Sequence, residues 1–249
     1  MKKLMRTFVF FISLMLIGQL TAQNTDSTAT KKLKQNNSYG LRVGVDINKI
    51  VRTISSSDYS GFEINGDYRL TKKYYAAAEI GAEKIAINET SVSTTAQGSF
   101  IKAGVDYNAH KNLVGMRNLI FVGLHYGFAT FDQELNNFSI ATRNSFFENP
   151  QRTSNLSNNG LTAHWAEFLA GIKAEVLNNL FLGFNVSVRF MITEQQPDGF
   201  DSAFIPGFGT TSDFSQVGTG FTYFISYYIP LYKKKNGSKK KKDSTQKSE

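Results

Sequence analysis

Apolar and polar residues alternate with a period of two over most of the chain between Ser38 and Tyr232. Side chains on a β-strand point alternately to its two faces, so this spacing predicts strands with one apolar face and one polar face. Eight segments have the pattern, at residues 39–48, 62–70, 74–83, 101–108, 120–128, 166–176, 180–191 and 220–231. The sequence therefore predicts an all-β protein with eight strands, and ten strands is the alternative count.

The two faces of these segments differ in charge. The 42 positions of the apolar face carry no charge, whereas the other face carries eight acidic and five basic residues among many glycines and small residues. A soluble barrel turns its apolar face inward, and an outer-membrane barrel turns it to lipid and keeps polar groups in the lumen. A soluble outer surface would carry many more lysines and glutamates, so the polar face favours the membrane barrel.

The connections between segments alternate in length. Short turns are predicted at 71–73 and 178–179, and longer connections of about a dozen residues follow the third segment and near thirty follow the fifth. Outer-membrane barrels have long extracellular loops and short periplasmic turns. The predicted fold is therefore an antiparallel up-and-down transmembrane β-barrel with that arrangement of loops and turns.

Tyrosines collect at one end of the predicted strands. Amphipathic aromatic rings favour the boundary between membrane and water. If the first strand rises from the periplasm, five tyrosines form a periplasmic aromatic girdle: Tyr39, Tyr68, Tyr74, Tyr107 and Tyr232.

The ends of the chain differ from its body. A basic stretch, an apolar run over residues 7–17 and a small-residue site at 20–22 are typical of a cleaved signal peptide, and the apolar run is short for the alternative of a membrane anchor. The predicted organisation is a signal peptide at 1–22, a polar periplasmic linker at 23–37, the transmembrane barrel at 38–232 and a Lys-rich disordered periplasmic tail at 233–249. The expected location is the cell outer membrane.

Charge and cysteine content exclude several classes of protein. The formal net charge of +8 comes from the two ends, since residues 23–232 carry 17 basic and 18 acidic groups. The body therefore offers no basic surface for nucleic acid. The chain has no cysteine, which excludes disulfides, thiolate metal sites and cysteine nucleophiles. No cofactor and no metal is predicted.

The charged residues of the polar face would lie inside the barrel. Eight strands enclose an interior that side chains can fill, and a buried charge is costly unless it is paired. The sequence predicts an ion-pair network in the lumen, with a narrow ion or proton path as the alternative. The network comprises Arg42, Asp46, Glu63, Asp67, Arg69, Glu79, Glu83, Lys102, Asp106, Glu167, Lys173, Glu175 and Arg189.

The two longest predicted loops, at 132–160 and 193–216, are rich in large apolar residues. Either the strands continue and these residues pack the loops together, or they form a docking surface for another protein. The candidate interaction residues are Phe138, Phe146, Phe147, Phe200, Phe204 and Phe208.

Catalytic and metal-binding patterns are weak. His164 is the one histidine predicted at the extracellular rim, with Asp132, Glu134 or Ser157 as conceivable partners, but no spacing specifies a dyad. Acidic residues of the last long loop lack the spacing of a calcium site; they are Glu194, Asp198, Asp201 and Asp213. No catalytic residue is predicted.

Over residues 38–232 the chain resembles the small eight-stranded outer-membrane barrels, in particular uncharacterised members from Bacteroidetes. The resemblance lies in the alternation, the loop asymmetry and the aromatic last strand GFTYFISYYIPLY. It implies insertion by the barrel-assembly machinery, although seventeen residues follow the last strand here.

The predicted function is a non-enzymatic structural or interaction component, or a subunit of a larger envelope assembly. A narrow ion or small-ligand conduit is the alternative, and a rim-located enzyme is third. Expected partners are outer-membrane lipid, the assembly machinery and other envelope proteins.

Overall fold

In the computed structural model the chain forms an eight-stranded closed barrel. The structure describes residues 38–89, 91–110, 117–139, 151–211 and 216–233. The elements are β1 (Ser38–Asp46), α1 (Ile47–Ser55), β2 (Tyr59–Arg69), β3 (Tyr74–Asn88), β4 (Val92–Asn108), β5 (Leu119–Ser139), β6 (Gln151–Leu177), β7 (Leu180–Glu194), β8 (Phe204–Ile205), β9 (Gly209–Thr210) and β10 (Val217–Lys233).

The barrel is an antiparallel up-and-down meander. Each of the strands β1 to β7 pairs with its neighbour in the chain, β10 pairs with β7, and β10 then pairs with β1 to close the ring. The pair β8 and β9 forms a separate two-stranded hairpin. The predicted fold class and strand number are confirmed.

Two ends of the barrel can be distinguished by their connections. The turn end carries the connections at residues 70–73 and 178–179, as the sequence predicts, and β1 begins and β10 ends there. The helix end carries α1 and the β8–β9 hairpin. Within the described ranges no helix has the length and apolar character needed to cross a membrane.

Three predictions about the helix end are wrong. The first predicted strand runs to residue 48, but β1 ends at Asp46 and Ile47–Ser55 is helical. The dozen-residue loop predicted between the third and fourth segments is strand, because β3 reaches Asn88 and β4 begins at Val92. Much of the predicted loop at 132–160 likewise belongs to β5 and β6. The strands lengthen because polar residues can still pair their backbones once the strand has left the apolar belt.

The outer face of the barrel is an apolar belt without charge. On β5 the outward residues run from Ile120 to Thr130 before Asp132 follows, and Leu124 between them is 53% exposed. Ten residues at about 3.3 Å each, on strands tilted by about 40°, give a belt about 25 Å high. Lys84 on β3 is likewise the first outward charge at the helix end of its strand.

Candidate functional site

The interior of the barrel holds charged side chains from facing strands. Near the turn end, Arg42 on β1 contacts Asp67 on β2, with Nη2 and Nε 2.8 and 2.9 Å from Oδ1. Lys173 on β6 reaches the other oxygen of Asp67 at 2.8 Å across the lumen. His125 Nε2 lies 2.9 Å from Asp106 Oδ1. These contacts close the lumen at one level.

A second cluster lies around Lys102 in the middle of the barrel. Its ammonium contacts the carboxylate of Glu79 and lies 3.6 Å from Glu167 and 3.9 Å from Glu63. Arg189 Nε donates to Glu167 at 3.2 Å. Lys102, Glu63 and Glu167 are at most 3% exposed, so the pairs are largely shielded from water.

A third cluster lies at the helix end. Lys49 of α1 extends into the barrel and lies 2.5 Å from Glu83 and 3.5 Å from Glu63. Glu83 also accepts a hydrogen bond from the Tyr59 hydroxyl at 2.6 Å and from the Gly207 amide at 2.7 Å. One carboxylate therefore ties together α1, β2 and the β8–β9 hairpin.

An apolar cap covers the helix end of the lumen. Phe208 and Ile205 of the hairpin are 2% and 0% exposed, and Phe208 packs edge-on to Trp165 with ring centroids 5.9 Å apart. Arg189 Nη1 donates to the Phe208 carbonyl at 2.7 Å, which joins the cap to the central cluster. The cap residues are Phe100, Ala129, Phe131, Leu161, Ala163, Trp165, Ile205 and Phe208.

Glycine makes room for this cap at two places. A Cβ on Gly127 would overlap the indole of Trp165, so the ring lies against the barrel wall only because residue 127 has no side chain. Gly207 has φ +77°, a conformation that glycine adopts without steric cost, and this turn presents its amide to Glu83.

Among the described residues, one cavity inside the lumen is small. A cavity of about 20 Å³ lies between the central cluster and the turn end, lined among others by Glu79, His125 and Lys173. A cavity of roughly 10 to 15 Å³ suffices for one water. The cavity is thus the size of a water site.

Three members of the predicted network lie at the barrel ends. Asp46 caps α1, since its carboxylate accepts the amides of Asn48 and Lys49 at 2.7 and 3.3 Å. Glu175 lies at the turn end and accepts the Asn179 amide at 3.0 Å.

Arg69 also lies at the turn end. Its Nε donates to the Thr71 carbonyl at 3.0 Å, and its guanidinium lies 5.3 Å from the centre of the Tyr39 ring.

The tyrosines of the predicted girdle lie at the turn end. Tyr74 and Tyr107 pair across β3 and β4 with ring centroids 5.4 Å apart. Tyr68 is near the end of β2, and the backbones of Tyr39 and Tyr232 pair across β1 and β10.

Two of the candidate interaction residues are packed in the interior, which is the packing alternative for these loops. Phe204 and Phe208 are 5% and 2% exposed because the hairpin folds into the barrel mouth. Phe138 on β5 and Phe200 are half-buried. Phe146 and Phe147 lie outside the described residues.

Sequence reasoning missed Lys49, since α1 was not predicted. Signals for the helix exist: apolar residues recur at 47, 50, 51 and 54, and Asp46 precedes them as a capping residue. The turn signals for the hairpin are Pro206, Gly207 and Gly209.

The candidate rim histidine lies on the outer face. His164 Nδ1 is 2.7 Å from the Tyr126 hydroxyl, and its ring packs on Phe128 at 4.8 Å. Asp132 accepts the Gly160 amide, and Glu134 and Ser157 pair across β5 and β6. Among the described residues no group of three or more histidine or acidic side chains is placed to hold a metal ion. Asp213 of the candidate calcium site lies outside them.

Comparison with protein families gives one match over nearly the whole chain. The family described as Domain of unknown function (DUF6048) matches residues 2–234. The chain belongs to this family. No curated protein matches it. Among solved structures it is similar to the crystal structure of Ail, the attachment invasion locus protein of Yersinia pestis. That match has 9% identity and a TM-score of 0.36, and covers 78% of this chain and 99% of the other.

Proposed function

We propose that the protein is a barrel of the bacterial outer membrane with a closed lumen, acting as a non-enzymatic structural or interaction component of the envelope. The observation that carries the proposal is the inverted distribution of polarity: charged side chains fill the interior and an uncharged apolar belt surrounds it. A protein dissolved in water rarely exposes an apolar surface of this extent.

The height of the belt and the residues at its two edges are evidence that the barrel lies in a membrane. About 25 Å is the height of the lipid-facing band of outer-membrane barrels. Charged outward residues begin at Lys84 and Asp132 at the helix end, and tyrosines lie at the turn end. A closed ring also leaves no strand edge with unpaired backbone groups in lipid.

The packing of the lumen favours a structural role for the barrel over a role as an ion or solute conduit. Three charged clusters and an apolar cap follow one another along the axis, and one cavity between the central cluster and the turn end is the size of one water. A solute would have to separate several ion pairs in succession, and breaking a buried pair is strongly unfavourable.

The surface that remains for partners is the part of the barrel beyond the belt. At the helix end β3 to β6 continue past the row that contains Lys84 and Asp132, and Leu156 on this extension is 46% exposed. Such a projecting sheet suits contacts with other envelope proteins.

Conductance in a planar bilayer tests the proposal. The purified chain should insert and remain electrically silent. A variant with residues 203–211 replaced by a glycine–serine linker should also be silent, because the ion pairs of Arg42, Lys102 and Lys173 involve no residue of that segment. Steady ion-selective current through the native chain would contradict the closed lumen and favour a conduit.

A further inference from the structure

The helix α1 presents its apolar face away from the barrel. Apolar side chains occur at Ile47, Ile50, Val51 and Ile54, a spacing that places them on one face. None of them is buried, and Ile54 and Val51 are 81% and 53% exposed. A nine-residue helix with such a face is not stable by itself in water.

Polar contacts on the opposite face hold the helix in this orientation. Lys49 extends into the lumen to Glu83, and Asp46 caps the first turn. The Thr53 hydroxyl accepts the Gly61 amide of β2 at 2.8 Å. Turning the apolar face toward the barrel would break the contacts of Lys49 and Thr53 with the barrel wall, so the apolar face stays directed outward.

A groove separates this face from the outer wall of the barrel. Ile50 and Ile54 line one side, and Phe62 of β2 and Ala82 of β3 line the other. Its volume is about 670 Å³, within the range of roughly 300 to 1,000 Å³ common for small-molecule sites. Phe62, at 48% exposure, belongs to the belt, so the groove is continuous with it.

The groove also meets the polar edge of the belt. Outward residues pair in a row across four strands: Ser60, Lys84, Gln97 and Asp132. All four line the groove. The apolar walls of the groove suit the acyl chain of an anionic lipid, and the Lys84 ammonium at its edge suits the lipid headgroup.

We propose that α1 is an interfacial helix whose apolar face is embedded in membrane lipid, and that the groove beneath it holds a lipid acyl chain with the headgroup at the row of Lys84. The inference rests on the proposed membrane location of the barrel. Helices at a membrane surface place an apolar face among the acyl chains and keep polar residues toward water; here the polar residues face the barrel mouth.

Single-cysteine labelling tests this directly because the natural chain has no cysteine. The full chain is prepared as Ile50→Cys, Ile54→Cys, Ser55→Cys and Ile80→Cys, each carrying the same environment-sensitive fluorophore. Each is reconstituted in phosphatidylcholine–phosphatidylglycerol vesicles with and without lipid that bears a quencher near the top of the acyl chain. Ile80 is a belt reference at 57% exposure, and Ser55 is the matched control on the same helix.

Labels at positions 50 and 54 should lose as much fluorescence to the lipid quencher as the label at 80, and more than the label at 55. Adding Ala82→Phe, which narrows the groove, should reduce the loss at 50 and leave the loss at 80 unchanged. If 80 is quenched but 50 and 54 are not, the helix faces water or protein and the inference fails while the membrane barrel stands. If 80 is not quenched, the proposed location itself fails.

Discussion

Lys102 lies where three carboxylates converge, and its position depends on the alternation of β4. Ile101 and Ala103, its neighbours in sequence, face outward and are uncharged, so the ammonium is the one group of this short segment that points into the lumen. Its contacts come from β2, β3 and β6. The side chain thus joins β4 not only to its neighbour β3 but also to β2 and β6, with which β4 does not pair.

Replacing Lys102 with Met should lower the free energy of unfolding by about 3 to 5 kcal/mol, because Glu63, Glu79 and Glu167 would keep their charges without this partner. Denaturant titration of the refolded barrel measures the change. Lys84→Met is the matched control, since Lys84 is exposed, and should change stability by less than about 0.5 kcal/mol. Equal losses of unfolding free energy in the two variants would mean that Lys102 is solvated.

A methyl group on Gly127 should disturb the cap. Gly127→Ala would overlap the Trp165 ring, and overpacking of this kind costs roughly 1 to 3 kcal/mol. Trp165 is the only tryptophan, so its emission should shift in the folded variant. Gly66→Ala, whose Cβ would lie 3.4 Å from the Arg42 carbonyl, should change neither stability nor emission by a comparable amount.

At the scale of elements, period-two patterning predicts a strand best within the apolar belt, where every outward residue must be uncharged. An outward charge between Ile120 and Thr130 would lie in lipid, so the alternation there is strict and the predicted segment is correct. Beyond Asp132 the outward residues no longer need to be uncharged, and polar residues occupy both faces. The pattern there does not distinguish a strand from a loop. The extensions of β3 to β6 were missed for this reason. The partners of Lys49 could not be predicted, because they depend on where α1 packs.

A charge within the belt should impair the barrel in proportion to its depth. Leu124→Arg places a guanidinium near mid-belt and should cost about 2 to 4 kcal/mol in folding into lipid vesicles. Gln97→Arg, on the polar row, should cost little, since the position lies at the belt edge. Equal costs would contradict the assignment of the outer face to lipid.

At the scale of the whole molecule, an even number of strands fixes both ends of the barrel on one side. β1 begins and β10 ends at the turn end, which we expect to face the periplasm. An epitope tag after Glu249 should therefore be inaccessible to antibody on intact cells, whereas a tag inserted between β5 and β6 should be labelled. Labelling of the C-terminal tag on intact cells would reverse the topology.

The pairing of β1 with β10 has a consequence for biogenesis. These strands are the first and last of the barrel, so their seam joins the most distant parts of the sequence, and such contacts form slowly. Until the seam closes, the growing sheet would expose Arg42, Lys102 and Glu167 on a concave face with no opposite wall. Lys173 can meet Asp67 only when β6 and β2 face each other across the finished ring. Insertion of an open sheet into the hydrocarbon core would therefore be unfavourable, because its charges would be unpaired. We expect the sheet to curl, its charges to pair and the barrel to enter the bilayer in one concerted step.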